Sequence, residues 1–206
     1  MKVFLVNGSP HQHGCTDRAL REVASALEQG GIETEIFWIG NQPIGGCIGC
    51  GACAKLGRCA FDGVVNEFAE KLGEADGFVF GSPVHYAAAS GNMTSFLDRL
   101  FYSQGRKLAG KPAAVVVSAR RGGTTAAYEQ LLKYPGITEM PIVSSCYWNN
   151  VHGSKAEDVQ QDEEGVRIMR VLGHNMAWLL RCIEAGKAAG VPNPRKEPLA
   201  KTNFIR

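Results

Sequence analysis

The 206-residue chain contains no apolar run approaching the ~20 residues that a membrane-spanning helix needs. It also has little net charge: 22 Lys and Arg face 20 Asp and Glu, leaving +2, and the two signs are interspersed. Without a basic block, nucleic acid is not an expected partner. The N-terminus shows no basic flank followed by a signal-type apolar segment. These absences together predict a cytoplasmic protein with no membrane partner. No internal repeat is visible, and compositional bias is limited to local Gly/Ala richness. The length suits one core better than two. The first strand-to-helix loop lacks both the G-x-G-x-x-G turn and the Lys-Ser/Thr of a P-loop, which argues against a dinucleotide fold and an NTPase.

What is present starts with a short apolar strand over residues 2–7, broken by Asn7-Gly8-Ser9-Pro10, with a helical pattern from Thr16. A helix N-terminus has unpaired N–H groups and a positive dipole end, so this loop can receive an anion, typically phosphate. The helix, over 16–29, carries Ala19, Leu20, Val23, Ala26 and Leu27 on one face and stops at Gly30-Gly31. Further strands are expected over 32–39, 77–81, 113–118 and 140–147. Helices are expected over 63–73, 91–103, 124–133 and 162–189, the third of these ending near Pro135. Five strands alternating with five helices predict an α/β protein with a parallel sheet and helices on both faces. In a flavodoxin-like three-layer sandwich of order 2-1-3-4-5, the loops after strands one, three and four are spatial neighbours. These are Gly8 to Thr16, Ser82 to Gly91, and Ser118 to Thr124. One domain over 1–190 follows, with a cysteine-rich insertion at 44–62 and an irregular tail over 191–206.

The three loops suit a mononucleotide. Ser9, Thr16 and backbone amides offer donors to a phosphate. Pro83-Val84-His85-Tyr86 offers a rigid turn and flat side chains for a ring. Ala119-Arg120-Arg121-Gly122-Gly123 offers amides, close approach, and two cations for a reduced flavin or for the phosphates of a nicotinamide nucleotide.

The sequence holds seven cysteines, four of them within thirteen residues: Cys47, Cys50, Cys53 and Cys59, spaced C-x2-C-x2-C-x5-C. Crowding of this kind in a reducing compartment points to metal or redox work. An iron–sulfur cluster, zinc, and free thiols or a disulfide are all compatible with the spacing. Cys15, Cys146 and Cys182 are expected to be packing residues, with Cys15 also placed where a helix N-terminus favours a thiolate. His174 reads as structural, and Trp148 to His152 as lining the pocket side of the sheet.

Val6-Asn7-Gly8-Ser9-Pro10 through Thr16, Gly81-Ser82-Pro83-Val84-His85-Tyr86, and Cys47-Ile48-Gly49-Cys50-Gly51-Ala52-Cys53 resemble the NADPH-dependent FMN reductase group of the flavodoxin superfamily, in its iron–sulfur flavoprotein branch. Tyr147 to Gly153, Asn175-Met176-Ala177-Trp178 and the ending Thr202 to Arg206 extend the likeness. The resemblance implies bound FMN, reduction by NADPH or NADH, a 4Fe–4S cluster on the four cysteines, and a homodimer or homotetramer. It further implies a small-molecule electron acceptor or exchange with ferredoxin as an electron carrier. It places the phosphate at Ser9, His11, Gly14, Cys15 and Thr16. There His11 stands for the group's usual arginine and Cys15 for its usual asparagine.

Overall fold

The strands alternate two kinds of side chain, and that alternation decides the layers. In β1 (Lys2–Asn7), Phe4 and Val6 point to one face of the sheet while Val3 and Leu5 point to the other, and all four are fully buried. β3 (Gly77–His85) repeats the pattern with Phe78 and Phe80 against Val79. β5 (Ala113–Ala119) repeats it with Val115 and Val117 against Ala114 and Val116. A computed structural model supplies these coordinates and describes residues 1–198, 200, 202 and 204. Strands buried on both faces read as continuous apolar runs, which is why the sequence shows them clearly.

β2 (Glu33–Trp38) lies beside β1, with Leu5 opposite Ile36. β3 lies on the other side, with Leu5 opposite Val79. β5 follows β3, and β6 (Asn150–His152) closes the row. The order is therefore β2-β1-β3-β5-β6, parallel throughout. β4 (Ala88–Ala89) pairs antiparallel with the far end of β3 and stands off this row. The expected arrangement of five parallel strands is present, and the extra hairpin strand shifts the numbering.

The aromatic face is covered by α3 (Val64–Lys71), α4 (Gly91–Leu108) and α5 (Thr124–Ile137). At its centre Phe68 meets Phe4, Phe37, Phe78 and Phe96, with ring centroids 4.8 to 6.2 Å apart. Such tilted and edge contacts contribute about 1 kcal/mol each beyond burial. The opposite face, lined by small and branched residues, is covered by α1 (Cys15–Gln29) and α7 (Glu163–Ala188). α2 (Cys53–Leu56) and α6 (Ala156–Val159) are single turns in loops. Among the described residues no helix is long and apolar enough to cross a membrane.

Two expected boundaries are corrected. The fifth strand is not 140–147. Ile142 makes one isolated bridge to Ala113, and the ladder resumes only where Asn150 pairs with Val117. β5 advances four residues between those points and the edge segment advances eight, so the excess must leave the sheet. It is held off the ladder by α7, where Ser145 Oγ donates to Ile168 O and Asn175 Nδ2 donates to Ser144 O. α5, for its part, runs through Pro135 to Ile137. Only the last turn follows the proline, so little of the helix loses a donor. The tail has no regular structure where described, and Leu199, Lys201, Asn203, Ile205 and Arg206 lie outside the described residues.

α1 and α7 approach closely because Gly173 has no side chain. A Cβ there would sit 2.6 Å from both Ala26 Cβ and the Val23 carbonyl oxygen. Gly173→Ala gains about 1 kcal/mol of helix propensity. It also forces a backbone contact that cannot yield, at about 1–3 kcal/mol. The expected net result is a lower midpoint in urea denaturation with an unchanged slope; a higher midpoint would show that the two helices slide apart freely.

Candidate functional site

The carboxyl ends of β1, β3 and β5 leave the sheet as neighbours, as parallel strands joined by helical crossovers must. The loop after β1 is shaped by the buried Asn7 side chain. Its Oδ1 accepts the Ser9 N–H at 3.0 Å, and its Nδ2 donates to the Gln12 carbonyl at 2.9 Å. Ser9 Oγ accepts the His11 N–H at 3.1 Å, and Trp38 Nε1–H donates to the Ser9 carbonyl at 2.8 Å. At Gly8 this loop meets the next one. The Gly8 N–H donates to the Gly81 carbonyl at 2.8 Å, and the Gly8 carbonyl accepts from Ser90 Oγ at 3.0 Å. A Cβ on Gly8 would lie 2.5 Å from Met93 Sδ and 2.8 Å from the Gly81 oxygen, so the contact needs glycine.

The loop delivers the chain to α1 with Gly14 at the N-cap and no side-chain cap. Among the described residues the amides of Cys15, Thr16 and Asp17 have no acceptor. These are the unpaired donors that receive an anion. Ser9 Oγ accepts one bond and keeps its own proton for a ligand. Thr16 is buried, its hydroxyl 2.8 Å from Ser118 Oγ, which ties α1 to β5. The His11 imidazole is exposed beside the loop. Asp17, buried in the first turn, is neutralised by Arg21 Nε at 2.8 Å, with His13 Nδ1 at 3.6 Å.

Cys15 departs from its expected character. Its thiol donates to the Gly153 carbonyl at 3.4 Å. Burial first, then the nearby Asp158 and Glu157 carboxylates, hold it above the ordinary thiol range. Desolvation outweighs the helix dipole here. Cys146 and Cys182, expected to be packed, are exposed.

The second loop is a hairpin. Val84 pairs with Ala89 and His85 with Ala88, and the chain turns on Tyr86 (φ 49°) and Ala87 (φ 60°). Both are left-handed, as a tight two-residue hairpin requires, although the turn normally uses Asn-Gly. Each costs about 1 kcal/mol. Pro83 and Val84 are half-buried, while His85 and Tyr86 are exposed at the tip. Ser82 Oγ fixes the hairpin base by accepting the Ser90 N–H at 3.0 Å.

In the third loop Ala119 is buried, and Arg120, Arg121 and Gly122 are exposed. Gly123, at φ 96°, packs on the hairpin. A Cβ there would lie 2.6 Å from Ala87 Cα and 2.9 Å from Val84 Cγ1. The three loops are thus joined at Gly8–Ser90, Thr16–Ser118 and Gly123–Ala87. Ser90 and Ser118 make two of these joints, while Asn7 and Ser82 shape the first and second loops from within. Sequence reasoning passed over all four as site residues, reading Ser90 only as a helix cap. Asn7 carried the usable signal, since an Asn-Gly pair ending a strand marks a turn that its side chain organises.

The cysteine loop lies along α4. Ile44 N–H donates to Asn92 Oδ1 at 3.1 Å near the start of the helix, and the loop then follows the helix to Arg99, Tyr102 and Ser103. Cys47, Cys50, Cys53 and Cys59 all line one pocket there. Cys47 and Cys50 are exposed, Cys53 is half-buried and Cys59 is buried. Among the described residues no three His, Cys, Asp or Glu side chains gather as a single-ion site. Ser90, at the strand-end loops, and Arg99, at the cysteine pocket, are nine residues apart, from the N-cap into one helix, about 14 Å along its axis. Three buried side chains fasten the loop. Asn66 bonds both the N–H and the carbonyl of Cys59, Gln104 Nε2 donates to the Gly57 carbonyl, and Arg99 donates to the Phe61 carbonyl at 2.5 Å.

Comparison with known proteins completes the description. The family model for NADPH-dependent FMN reductase matches residues 1–155. The chain belongs to the NADPH-dependent FMN reductase family. The matched residues contain all six strands, the three loops and the cysteine pocket. An iron–sulfur flavoprotein of Methanocaldococcus jannaschii is 30% identical over 194 residues, covering 89% of this chain and 100% of the relative. Among solved structures, RosB with a bound 8-demethyl-8-formylriboflavin-5'-phosphate superposes at a TM-score of 0.69, with 15% identity over 100% of this chain and 92% of its own. A WrbA-like flavodoxin from Agrobacterium tumefaciens superposes at 0.65, with 17% identity over 88% of this chain and 98% of its own. These two likenesses establish the flavodoxin-like fold of this FMN reductase family member.

Two outcomes test the geometry. Ala87→Gly relieves a left-handed residue and should stabilise the protein by about 1 kcal/mol, read as a raised thermal midpoint; a fall would mean that the Ala87 side chain is needed against the third loop. With the thiol of Cys15 held protonated, alkylation at neutral pH should modify Cys146 and Cys182 about tenfold faster than Cys15, measured by mass spectrometry. Equal rates would contradict the raised thiol.

Proposed function

We propose that this protein is an FMN-dependent NAD(P)H oxidoreductase that passes electrons from a nicotinamide nucleotide through bound FMN to an acceptor, with a 4Fe–4S cluster on Cys47, Cys50, Cys53 and Cys59. The observation that carries the reading is the meeting of three strand-end loops at an uncapped helix N-terminus. Phosphate charge would be met by the amides of Cys15, Thr16 and Asp17 and by the free proton of Ser9 Oγ. Gly14 leaves the backbone open there, and His11 stands beside it. Pro83 and Val84 offer an apolar ledge for a ring, with His85 and Tyr86 at its rim. Amides around Gly122 and Gly123 approach from the other side. Arg120 and Arg121, both exposed, supply positive charge for a reduced flavin or an incoming nucleotide's phosphates. When bound, FMN supplies hydride acceptance and one- or two-electron release; the protein supplies orientation and charge.

The lining of the cysteine pocket supports the cluster reading. Four thiols border one cavity, as suits a group that would present a separate iron to each. The names of the iron–sulfur flavoprotein relatives support the same reading. A cytoplasmic setting goes with it, because thiols at this density stay reduced there. A second reading, an electron carrier fed by ferredoxin, is favoured by one observation. Ile48, Leu56, Phe61 and Tyr102 lie exposed around the cysteines, forming an apolar surface that a protein partner would cover.

Protein purified without air should carry flavin and about four irons with equivalent sulfide per chain. NADPH or NADH should bleach the flavin in a stopped-flow mixing experiment. Arg120→Ala and Arg121→Ala should raise the nucleotide concentration needed by about tenfold while leaving FMN content unchanged. No bleaching by either nucleotide, with rapid reduction by ferredoxin, would replace the reductase reading with the carrier. Flavin without iron would remove the cluster.

A further inference from the structure

Among the described residues Arg99 is the one buried guanidinium, only 7% exposed, and it has no carboxylate within salt-bridge distance. The neighbouring Asp62 is taken by Arg58 at 2.5 Å. Asp98, next in sequence, accepts instead from Tyr134 Oη at 2.6 Å. The guanidinium donates to two carbonyls, Phe61 at 2.5 Å and Asp62 at 3.3 Å, and lies over the Phe61 ring at 5.7 Å. Its Nε–H points at Cys59 Sγ, 3.3 Å away. A charge withdrawn from water is retained only where an opposite charge compensates it. Among the described residues the four cysteines lining the same pocket are placed to supply that charge as thiolates.

We infer that Arg99 is the counter-cation of the four-thiolate site: it positions Cys59 and sets how readily the site takes up an electron. The inference rests on the cluster reading given above. A cluster held there by four thiolates would be anionic and would gain one further negative charge on one-electron reduction, with no bond broken and no proton moved at the cysteines. The electron would reach it by way of bound FMN, which would take two electrons as hydride from the nicotinamide nucleotide of the proposed reaction and release them singly, one to the four-thiolate site and one to the acceptor. A fixed cation against one ligand sulfur favours the more negative state, and a hydrogen bond to that sulfur acts in the same direction. The other three cysteines lack such a donor among the described residues; Cys47 and Cys50 face solvent, and Cys53 lies 4.0 Å from the Tyr102 carbonyl. The asymmetry makes Cys59 the ligand through which the protein acts.

The test compares wild type, Arg99→Lys and Arg99→Gln, all purified without air and reconstituted with FMN, iron and sulfide. Lysine keeps the charge, while glutamine keeps an amide donor for the Phe61 carbonyl. Iron and sulfide are measured first, then the midpoint potential by titration followed by electron paramagnetic resonance, with circular dichroism as the check on folding. All three should hold about four irons. The glutamine variant should lose about tenfold in the one-electron equilibrium, or ~59 mV. The lysine variant should stay close to wild type, and the flavin potential should not move. If glutamine prevents loading but lysine loads with a near-native midpoint, the charge assignment is supported. An unchanged midpoint in a loaded glutamine variant overturns it. So does loss of iron from both variants in a folded protein, which would make Arg99 a loop anchor only. Wild type without iron overturns the underlying reading and the inference with it, and is recognised at the first measurement.

Discussion

Everything at the working end of this protein hangs from the backbone of Gly8. Its N–H holds the end of β3 and its carbonyl holds Ser90, so two strand ends and the start of α4 are fixed by one residue. Neither bond can form unless the residue has no side chain, because Met93 and the Gly81 carbonyl fill the space. A net contribution of about 1 kcal/mol for each bond is modest. What they determine is position: α4 starts beside the first residue of the first loop, and its axis then fixes where the cysteine loop lies.

α4 in this way does two jobs. Its first turn, capped by Ser90, closes the cradle at the strand ends. About three turns further on, it presents Arg99, Tyr102 and Ser103 to the cysteines. A helix is stiff over this length, so the two sites keep a constant separation whatever their loops do. That suits the proposed coupling of a two-electron donor to one-electron traffic.

The sequence disclosed the parts of this design that repeat and withheld the parts that occur once. The fold was legible because doubly buried strands are apolar throughout and helices show spaced faces. The cysteine spacing and the three loops were legible because four thiols fall within thirteen residues and turn residues break off apolar strands. The edge strand was misplaced. Residues 140–147 are apolar enough for a strand, but the register against β5 was already committed at Asn150, which no local pattern reveals. Arg99 was invisible for a similar reason. It sits in an amphipathic helix among other charged residues, and only the packing of a loop forty positions away makes it a buried cation. Cys15 misled in the opposite sense. Its place at a helix start favours a thiolate, but the neighbouring chain covers it.

The displaced edge segment has a bearing on how the molecule behaves in a crowded solution. An uninterrupted outer strand offers a row of free amides and carbonyls to which a foreign strand can add. Here β6 has three residues, and the segment before it leaves the ladder, with Ser144 and Ser145 tied to α7. The side of the sheet lying against β5 therefore gives an incoming chain too short a template to extend. The irregularity that breaks the ladder guards this edge against strand-by-strand aggregation.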